Sequence, residues 1–206
     1  MKLAGVLVLL GAGAAPLAAQ GPTLGIEVGY SRASFSGRDA GGVKLHEGAV
    51  AGAYLSVLLA HGFAFRPGIL LATKGGSTPV VADSAGTVVN FDLELVYIDL
   101  PLVLRARIPT VGQVRLILSG GVVPGFRIGC ATDFSQEDVP VARAACSTGS
   151  GLRPLDVAVL GGVGIGIPIE KSELGVEARV TRSLRSISNE ADIKNQALTL
   201  TLTIPF

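Results

Sequence analysis

Charged side chains recur at alternate positions within otherwise apolar segments of this 206-residue sequence. Glu177 and Arg179, for example, alternate with Val176, Ala178 and Val180. Charges that leave water persist only when they are paired, and the two signs occur here in similar number. We therefore expect a network of ion pairs in the interior, and its predicted members are Glu27, Arg66, Glu94, Arg115, Asp156, Glu177 and Arg179.

Residues suited to catalysis or metal binding are sparse. The two histidines, His46 and His61, fall in a predicted loop and turn, and neither belongs to a complete serine–histidine–carboxylate set. Gly162, Gly164 and Gly166 have the spacing of a nucleotide loop, but no helix follows them. The sequence also has no zinc-type spacing of Cys and His and no standard calcium loop. We expect no catalytic site, no metal site and no cofactor.

The N-terminus has the pattern of a secretory signal peptide. A basic residue precedes an apolar run over residues 3–15, and small residues then offer a cleavage site after Ala19 or Gln20. We expect a signal peptide over residues 1–19 and a single mature domain over residues 20–206. An uncleaved membrane anchor is the weaker alternative, because the run is short for a spanning helix and no stop-transfer charges follow it.

Two cysteines, Cys130 and Cys146, lie in one long predicted connection over residues 129–153. An exported chain passes through the oxidising periplasm, where disulfides form and persist. We expect the two residues to bridge each other. Free thiols are the alternative, and metal binding is weaker still because no further ligand residues lie nearby.

The composition excludes several classes of protein. Hydrophobic residues make up 49% of the chain and charged residues 16%, which is not the composition of a disordered protein. The 17 basic and 16 acidic residues give a net charge of +1 without a basic cluster. We therefore expect no nucleic-acid partner.

Apolar residues alternate with polar or small ones through most of the chain after residue 22, which is the pattern of half-buried strands. In the last segment, Leu198, Leu200 and Leu202 alternate with Thr199 and Thr201. Strands of twelve or more residues suit a tilted crossing of a membrane, which takes about 9–11 residues. The predicted strands are 23–34, 48–60, 63–75, 89–107, 114–128, 154–167, 173–185 and 195–206.

The predicted connections alternate between short and long. The short ones lie around 61–62, 109–112 and 168–172, and the long ones are 35–47, 76–88, 129–153 and 186–194. Short periplasmic turns and long extracellular loops are typical of outer-membrane barrels. We therefore predict an all-β fold, an eight-stranded antiparallel up-and-down transmembrane β-barrel. Its apolar face would meet lipid and its charged face would fill the lumen.

A proline interrupts the fourth predicted strand. Pro101 cannot donate to the ladder, which suits a bulge or an unpaired position. The apolar alternation also moves from Leu95 and Tyr97 to Ile98 and the even-numbered residues after it. One extra residue would produce this change of face, so we predict a β-bulge near 97–99.

Residues 97–104 follow the order aromatic, aliphatic, acidic, aliphatic, proline, aliphatic, which is similar to a segment of PorT-like outer-membrane β-barrel proteins. Residues 116–126 resemble the next strand of that family. The resemblance implies an eight-stranded outer-membrane barrel without established catalytic residues. The role of the founding member in protein secretion and gliding does not transfer with the fold alone.

The sequence ends on an aromatic residue, Phe206, after an amphipathic last strand. This pattern resembles the signal that the outer-membrane barrel assembly machinery recognises. We expect that machinery and outer-membrane lipid as partners, and a monomer as the assembled state. The expected location is the outer membrane of a Gram-negative-type bacterium, reached through the periplasm.

Together these features predict a small barrel with a filled lumen and a non-catalytic structural, adhesive or envelope-assembly role. The partner of its long loops is unidentified. Two alternatives remain: a narrow passive pore, and a soluble secreted lipocalin-like barrel that binds a small apolar ligand. Eight strands enclose an interior that side chains fill, which disfavours a wide pore. A lipocalin-like barrel requires an apolar interior and a charged exterior.

Overall fold

Long antiparallel strands make up most of the described chain, because apolar and polar residues alternate along it. The computed structural model describes residues 21–60, 62–81, 88–110, 112–136, 139–146, 151–169 and 172–206. The predicted signal peptide over residues 1–19 and His61 lie outside the described residues. The strands are β1 (Thr23–Ser36), β2 (His46–Ala60), β3 (Phe63–Val81), β4 (Val88–Asp99), β5 (Leu102–Pro109), β6 (Arg115–Gln136), β7 (Val139–Ala145), β8 (Leu155–Ile169), β9 (Ser172–Ser183) and β10 (Lys194–Pro205).

These strands close into a ring. β1 pairs with β2 on one side and with β10 on the other, and the pairing is antiparallel all the way round. β4 and β5 share one position in the ring, because both pair with β3 and with β6. Among the described residues, β7 pairs only with β6 and lies outside the ring. The ring has eight positions, which confirms the predicted barrel.

No helix in the described ranges is both long and apolar enough to cross a membrane.

Apolar side chains point away from the barrel axis and polar side chains point toward it. On β10, Leu198 and Leu200 are exposed on the outer face, whereas Thr199 and Thr201 are buried on the inner face. β1 and β9 show the same division, whereas the inner face of β8 carries Asp156, two apolar residues, Ala158 and Leu160, and then glycines. An apolar exterior around a polar interior is the arrangement of a membrane barrel. The lipocalin-like alternative, which needs the reverse arrangement, is therefore wrong.

β4 does not change face where the sequence predicted a bulge. Leu95, Tyr97 and Asp99 all point into the barrel, and the alternation continues without a break into β5. The bulge predicted near residues 97–99 is therefore wrong for this strand. Apolar residues occur on the inner face of β4 because this part of the interior is itself apolar.

The irregularity lies on the neighbouring strand, β6. Val96 pairs with Gly129 while Tyr97 pairs with Arg127, which leaves Ile128 as the extra residue. An extra residue exchanges the two faces of the strand that carries it. Beyond Ile128, the even-numbered residues of β6 therefore face inward.

Three ring strands, β3, β4 and β6, continue beyond the level at which the lipid-facing apolar residues end. This level, the polar rim, is marked by the first polar residues on the outer face, which are Arg32, Glu47, Thr73, Glu94, Arg182 and Gln196. β6 continues for about 26 Å past Ile128, at a rise of about 3.3 Å per residue. With β7 it forms the projecting sheet, which consists of residues 74–81, 88–93, 129–136 and 139–145. Long connections mark this end as extracellular.

A disulfide links Cys130 of β6 to Cys146, which directly follows β7. The two Cα atoms are 5.4 Å apart, and the Cys146 N–H donates a hydrogen bond to the Cys130 carbonyl at 3.2 Å. The bond closes the base of a β6–β7 pair, which we call the bridged hairpin (the described residues between Cys130 and Cys146). The predicted disulfide is confirmed.

Candidate functional site

Two clusters of charge fill the barrel interior, and the one nearer the short turns is the larger. Arg179 of β9 pairs with Glu27 of β1 and with Glu177 of its own strand. Arg66 of β3 contacts the same glutamate, with its Nη2 3.5 Å from the Glu27 Oε2. Each of these side chains is buried. We call the group the periplasmic cluster, and its members are Glu27, Arg66, Arg105, Glu173, Glu177 and Arg179.

The periplasmic cluster spans β6 and β8 because β8 carries glycines on its inner face. The Arg105 Nη1 of β5 lies 3.3 Å from the Glu173 Oε1, and its Nε lies 3.4 Å from the Glu177 Oε2. Both glutamates belong to β9, which is separated from β5 in the ring by β6 and β8. A Cβ atom at Gly166 would overlap the Glu173 side chain, and one at Gly162 would crowd Glu177. The missing side chains therefore provide the space in which the ion pairs form.

Gly162→Ala is expected to destabilise the barrel, whereas Gly161→Ala is not. A Cβ at position 162 would lie 2.5 Å from the Ser119 Oγ and 2.8 Å from the Arg179 Cγ, while one at position 161 meets nothing within 4 Å. Overpacking a filled interior costs about 1–3 kcal/mol. Urea unfolding of both variants in the same lipid vesicles measures the difference. Equal stability of the two variants would contradict a role for the glycines in accommodating the cluster.

A second group of polar residues, the outer cluster, lies closer to the extracellular end. The Lys74 Nζ is 3.0 Å from the Asp99 Oδ2 and 3.8 Å from the Asp156 Oδ2. Asp156 also accepts hydrogen bonds from the Ser183 hydroxyl at 2.7 Å and from the Asn195 amide at 3.0 Å. Five ring positions thus contribute polar groups to one buried cluster.

An apolar plug closes the interior beyond the outer cluster. Leu95, Tyr97 and Ile187 are buried there. Ile187 belongs to the β9–β10 connection, which folds back into the barrel: its N–H donates to the Ile193 carbonyl at 2.8 Å, and its carbonyl accepts from the Arg153 N–H at 2.7 Å. The partly buried members of the plug are Phe35, Leu93, Cys130, Leu152 and Ile193. The plug thus packs directly against the base of the bridged hairpin.

A cavity of about 40 Å³ lies between the two charge clusters. Its lining includes Glu27 and Arg179 from the periplasmic cluster, and Lys74 and Asp99 from the outer cluster. A water molecule needs about 10–15 Å³ by the same kind of measure, and drug-sized ligands occupy pockets of about 300–1,000 Å³. By volume alone the cavity has room for no more than a few water molecules, its lining is mostly apolar, and it is too small for such a ligand.

The structure brings five of the seven predicted network residues together in the buried interior, and these are Glu27, Arg66, Asp156, Glu177 and Arg179. Arg115 lies at the periplasmic mouth instead. Its side chain is 42% exposed, and its Nη1 is 3.7 Å from the Glu173 Oε2. Arg115 therefore contacts the cluster from the solvent side.

Glu94 does not belong to the interior, and the prediction is wrong for this residue. It shares the outer face of β4 with Val96 and Ile98, because the strand alternates without a bulge. Its Oε1 lies 3.1 Å from the Arg143 Nη2, and Arg143 also lies 3.2 Å from the Asp133 Oδ2. The carboxylate thus connects β4 to β7 across β6, at the base of the projecting sheet.

Lys74, Asp99, Arg105 and Glu173 are charged cluster members that the predicted network did not include, and the last three each carried a signal in the sequence. Asp99 and Arg105 are odd-numbered, like Leu95, and therefore lie on the same face of an uninterrupted strand. The bulge predicted near residues 97–99 hid this shared face. Glu173 lies four residues before Glu177, and therefore on the same face of β9.

Comparison with known proteins agrees with this architecture. A family model described as outer membrane protein beta-barrel domain matches residues 18–189. Solved structures that resemble the chain include NspA, the Neisserial surface protein A, with 9% identity, 91% of this chain and 100% of that chain covered, and a TM-score of 0.49. Another is Ail of Yersinia pestis, with 13% identity, 89% and 98% covered, and a TM-score of 0.41.

The outer membrane enzyme PagL resembles the chain at 9% identity, with 87% of this chain and 99% of that chain covered and a TM-score of 0.41. At these identities and TM-scores, the structural likenesses carry no argument about function. No curated protein matches the chain. The family model, by contrast, covers well over half of the residues. The chain therefore belongs to the outer membrane protein β-barrel domain family.

Proposed function

We propose that this protein is a non-conducting outer-membrane anchor that presents the bridged hairpin at the cell surface in an adhesive role. The observation that carries the proposal is the contrast between the two ends of the molecule. The interior is filled by two charge clusters and an apolar plug, while a disulfide-closed sheet projects beyond the polar rim. The proposal assigns the chain no catalytic activity and no cofactor.

The filled interior supports the non-conducting part of the proposal. An ion that crossed the barrel would have to displace Arg179 from two buried carboxylates and then pass the apolar plug. Breaking a buried ion pair costs about 3–5 kcal/mol, which is a large barrier to passage. In planar-bilayer recordings we expect no steady unitary currents from the wild-type protein. Steady, large currents would instead favour the passive-pore alternative.

The projecting sheet supports the adhesive part, because several contacts give it a defined shape. Phe91 and Phe134 pack edge to face, with ring centroids 5.4 Å apart. Arg143 links the outermost strand to Glu94 and Asp133. A surface with a fixed shape loses less conformational entropy when it binds a partner.

Replacing both cysteines by alanine is expected to expose the bridged hairpin to proteases without unfolding the barrel. The disulfide limits opening of β7 from β6, whereas the ring itself is closed by other ladders. Trypsin added to intact cells should cleave after Arg143 faster in the Cys130→Ala/Cys146→Ala variant. The gel shift on boiling, which reports a folded barrel, should persist. Equal cleavage of wild type and variant would show that the disulfide does not restrain the hairpin.

Removal of the hairpin tests the adhesive role. In the test variant, residues 132–144 are replaced by Asn-Gly, which forms a tight hairpin turn. Cells that express this variant should adhere less to polystyrene and to one another than cells that express the wild type. Both proteins must be present in the outer membrane in equal, heat-modifiable amounts. Equal adhesion under those conditions would overturn the adhesive role.

We extend the proposal to the subfamily of the protein, its assembly, its export and its oligomeric state. The resemblance of residues 97–104 supports membership of the PorT-like branch. The exposed Phe206, whose N–H donates to the Leu24 carbonyl at 3.0 Å, supports recognition by the barrel assembly machinery. A signal peptide over residues 1–19, export through the periplasm and a monomeric state complete the proposal.

A further inference from the structure

We propose that the periplasmic mouth of the barrel binds a phosphate group. The binding groups are the guanidinium groups of Arg105, Arg107 and Arg115, which converge on the single carboxylate of Glu173. The site lies at the opposite end of the molecule from the bridged hairpin, so it does not depend on the adhesive role.

The distances show that one carboxylate does not satisfy three guanidinium groups. The Arg105 Nη1 donates a hydrogen bond to the Glu173 Oε1 at 3.3 Å. The Arg107 Nε is 3.9 Å from the same oxygen, and the Arg115 Nη1 is 3.7 Å from the Glu173 Oε2. Contacts of this length are too long for hydrogen bonds. Among the described residues, the Arg107 Nε is buried and has no hydrogen-bond partner.

The balance of charge at this end also favours the binding of an anion. The described periplasmic half of the interior holds five arginines and three glutamates, and these are Arg66, Arg105, Arg107, Arg115 and Arg179 with Glu27, Glu173 and Glu177. Arg179 and Arg66 pair with Glu27, and Glu177 is shared by Arg179 and Arg105. Among the described residues the arginines thus exceed the glutamates by two, and Arg107 and Arg115 at the mouth have only long contacts with Glu173.

The unbalanced charges are accessible from the periplasm. The side chain of Arg107 is 22% exposed and that of Arg115 is 42% exposed, whereas Glu173 beneath them is buried. The two arginines are held on adjacent strands next to the β5–β6 turn, where Pro109 pairs with Arg115.

Guanidinium groups present planar forks of N–H donors that match the oxygens of phosphate. Partial burial strengthens such contacts relative to those on a fully solvated surface. The shared chemistry is therefore a phosphate group at the mouth, either from free inorganic phosphate or from a lipid headgroup of the inner leaflet.

Titration with inorganic phosphate tests the site on the folded, full-length barrel. In uncharged detergent micelles, with chloride adjusted to keep the ionic strength constant, phosphorus NMR should show saturable binding at one site. Arg107→Gln/Arg115→Gln should weaken that binding at least tenfold. The matched control, Arg182→Gln/Arg185→Gln, removes two exposed arginines at the extracellular end and should bind as the wild type does.

A lipid arm distinguishes the two sources of phosphate. Heat unfolding is compared in phosphatidylcholine vesicles with and without phosphatidylglycerol. Stabilisation by phosphatidylglycerol that is lost in Arg107→Gln/Arg115→Gln supports a headgroup ligand, and saturable binding of inorganic phosphate supports a free one. The gel shift on boiling shows whether the double variant is folded. If it is not folded, the single variant Arg115→Gln is tested in its place. Identical behaviour of wild type and variant in both arms would overturn the site.

Discussion

Arg179→Ala is expected to lower the free energy of unfolding by about 3–5 kcal/mol, which is the typical cost of breaking a buried ion pair. Arg179 is only 4% exposed, and it pairs with both Glu27 and Glu177. Its removal leaves Glu27 and Glu177 close together in the buried interior, with only their longer contacts to Arg66 and Arg105. Urea titration in lipid vesicles should show a clear fall in the unfolding midpoint. A larger fraction of the chain should also migrate as unfolded before boiling.

Two further variants separate the buried network from a general effect of losing an arginine. Arg182 lies three residues later on β9, on the exposed outer face, and Arg182→Ala should change stability by no more than about 0.5 kcal/mol. Glu177→Gln/Arg179→Met removes one charge of each sign and leaves Glu27 paired with Arg66. This double variant should recover much of the lost stability, because replacing both partners of a buried pair is often nearly neutral. A loss in Arg179→Ala no larger than in Arg182→Ala would contradict the network.

Leu200→Arg is expected to impair insertion and folding into lipid vesicles. Leu200 is 56% exposed on the outer face of β10, in the middle of the lipid-facing run from Leu198 to Ile204. An arginine at the bilayer midplane costs about 2–4 kcal/mol in a membrane barrel, because its charge loses contact with water. The folded fraction, measured by the gel shift on boiling, should fall sharply at equal lipid concentration.

Gln196→Arg is the matched control for this effect of depth. Gln196 lies four residues earlier on the same face of the same strand, at the polar rim. An arginine near the interface costs only about 0–1 kcal/mol, since its side chain reaches the headgroups. Equal folding of Leu200→Arg and Gln196→Arg would show that this face of β10 does not cross the lipid at the inferred depth.

Much of the barrel could be predicted because alternation is a local property of a strand. Leu200 and Thr201 face opposite sides wherever the strand lies, and the identities of the two faces indicate which one meets lipid. The same reasoning correctly predicted the inward positions of Glu27, Glu177 and Arg179. The disulfide was predictable from two facts alone: a single pair of cysteines and an oxidising route.

The alternation of apolar and polar residues predicted the wrong faces for β4, because the barrel interior changes there from charged to apolar. Leu95 and Tyr97 face inward because an apolar plug, built partly from the distant Ile187, replaces the charge clusters at that level. From the sequence, inward apolar residues looked like a change of face, so a bulge was assigned to the wrong strand and Glu94 to the wrong side. A local pattern cannot show that an inward-facing residue packs against another residue about 90 positions away in the sequence.

The sequence by itself thus determined the membrane-spanning ring and the two faces of most of its strands, because these depend on the period of residues within a single segment. Only the tertiary structure decided which charges meet. Arg105 reaches Glu173 and Glu177 because glycines on the inner face of β8 leave room between them. The bridged hairpin and the surplus of arginines at the periplasmic mouth were also decided at this level. Such contacts depend on how the strands are staggered around the closed ring, which is a property of all of them together.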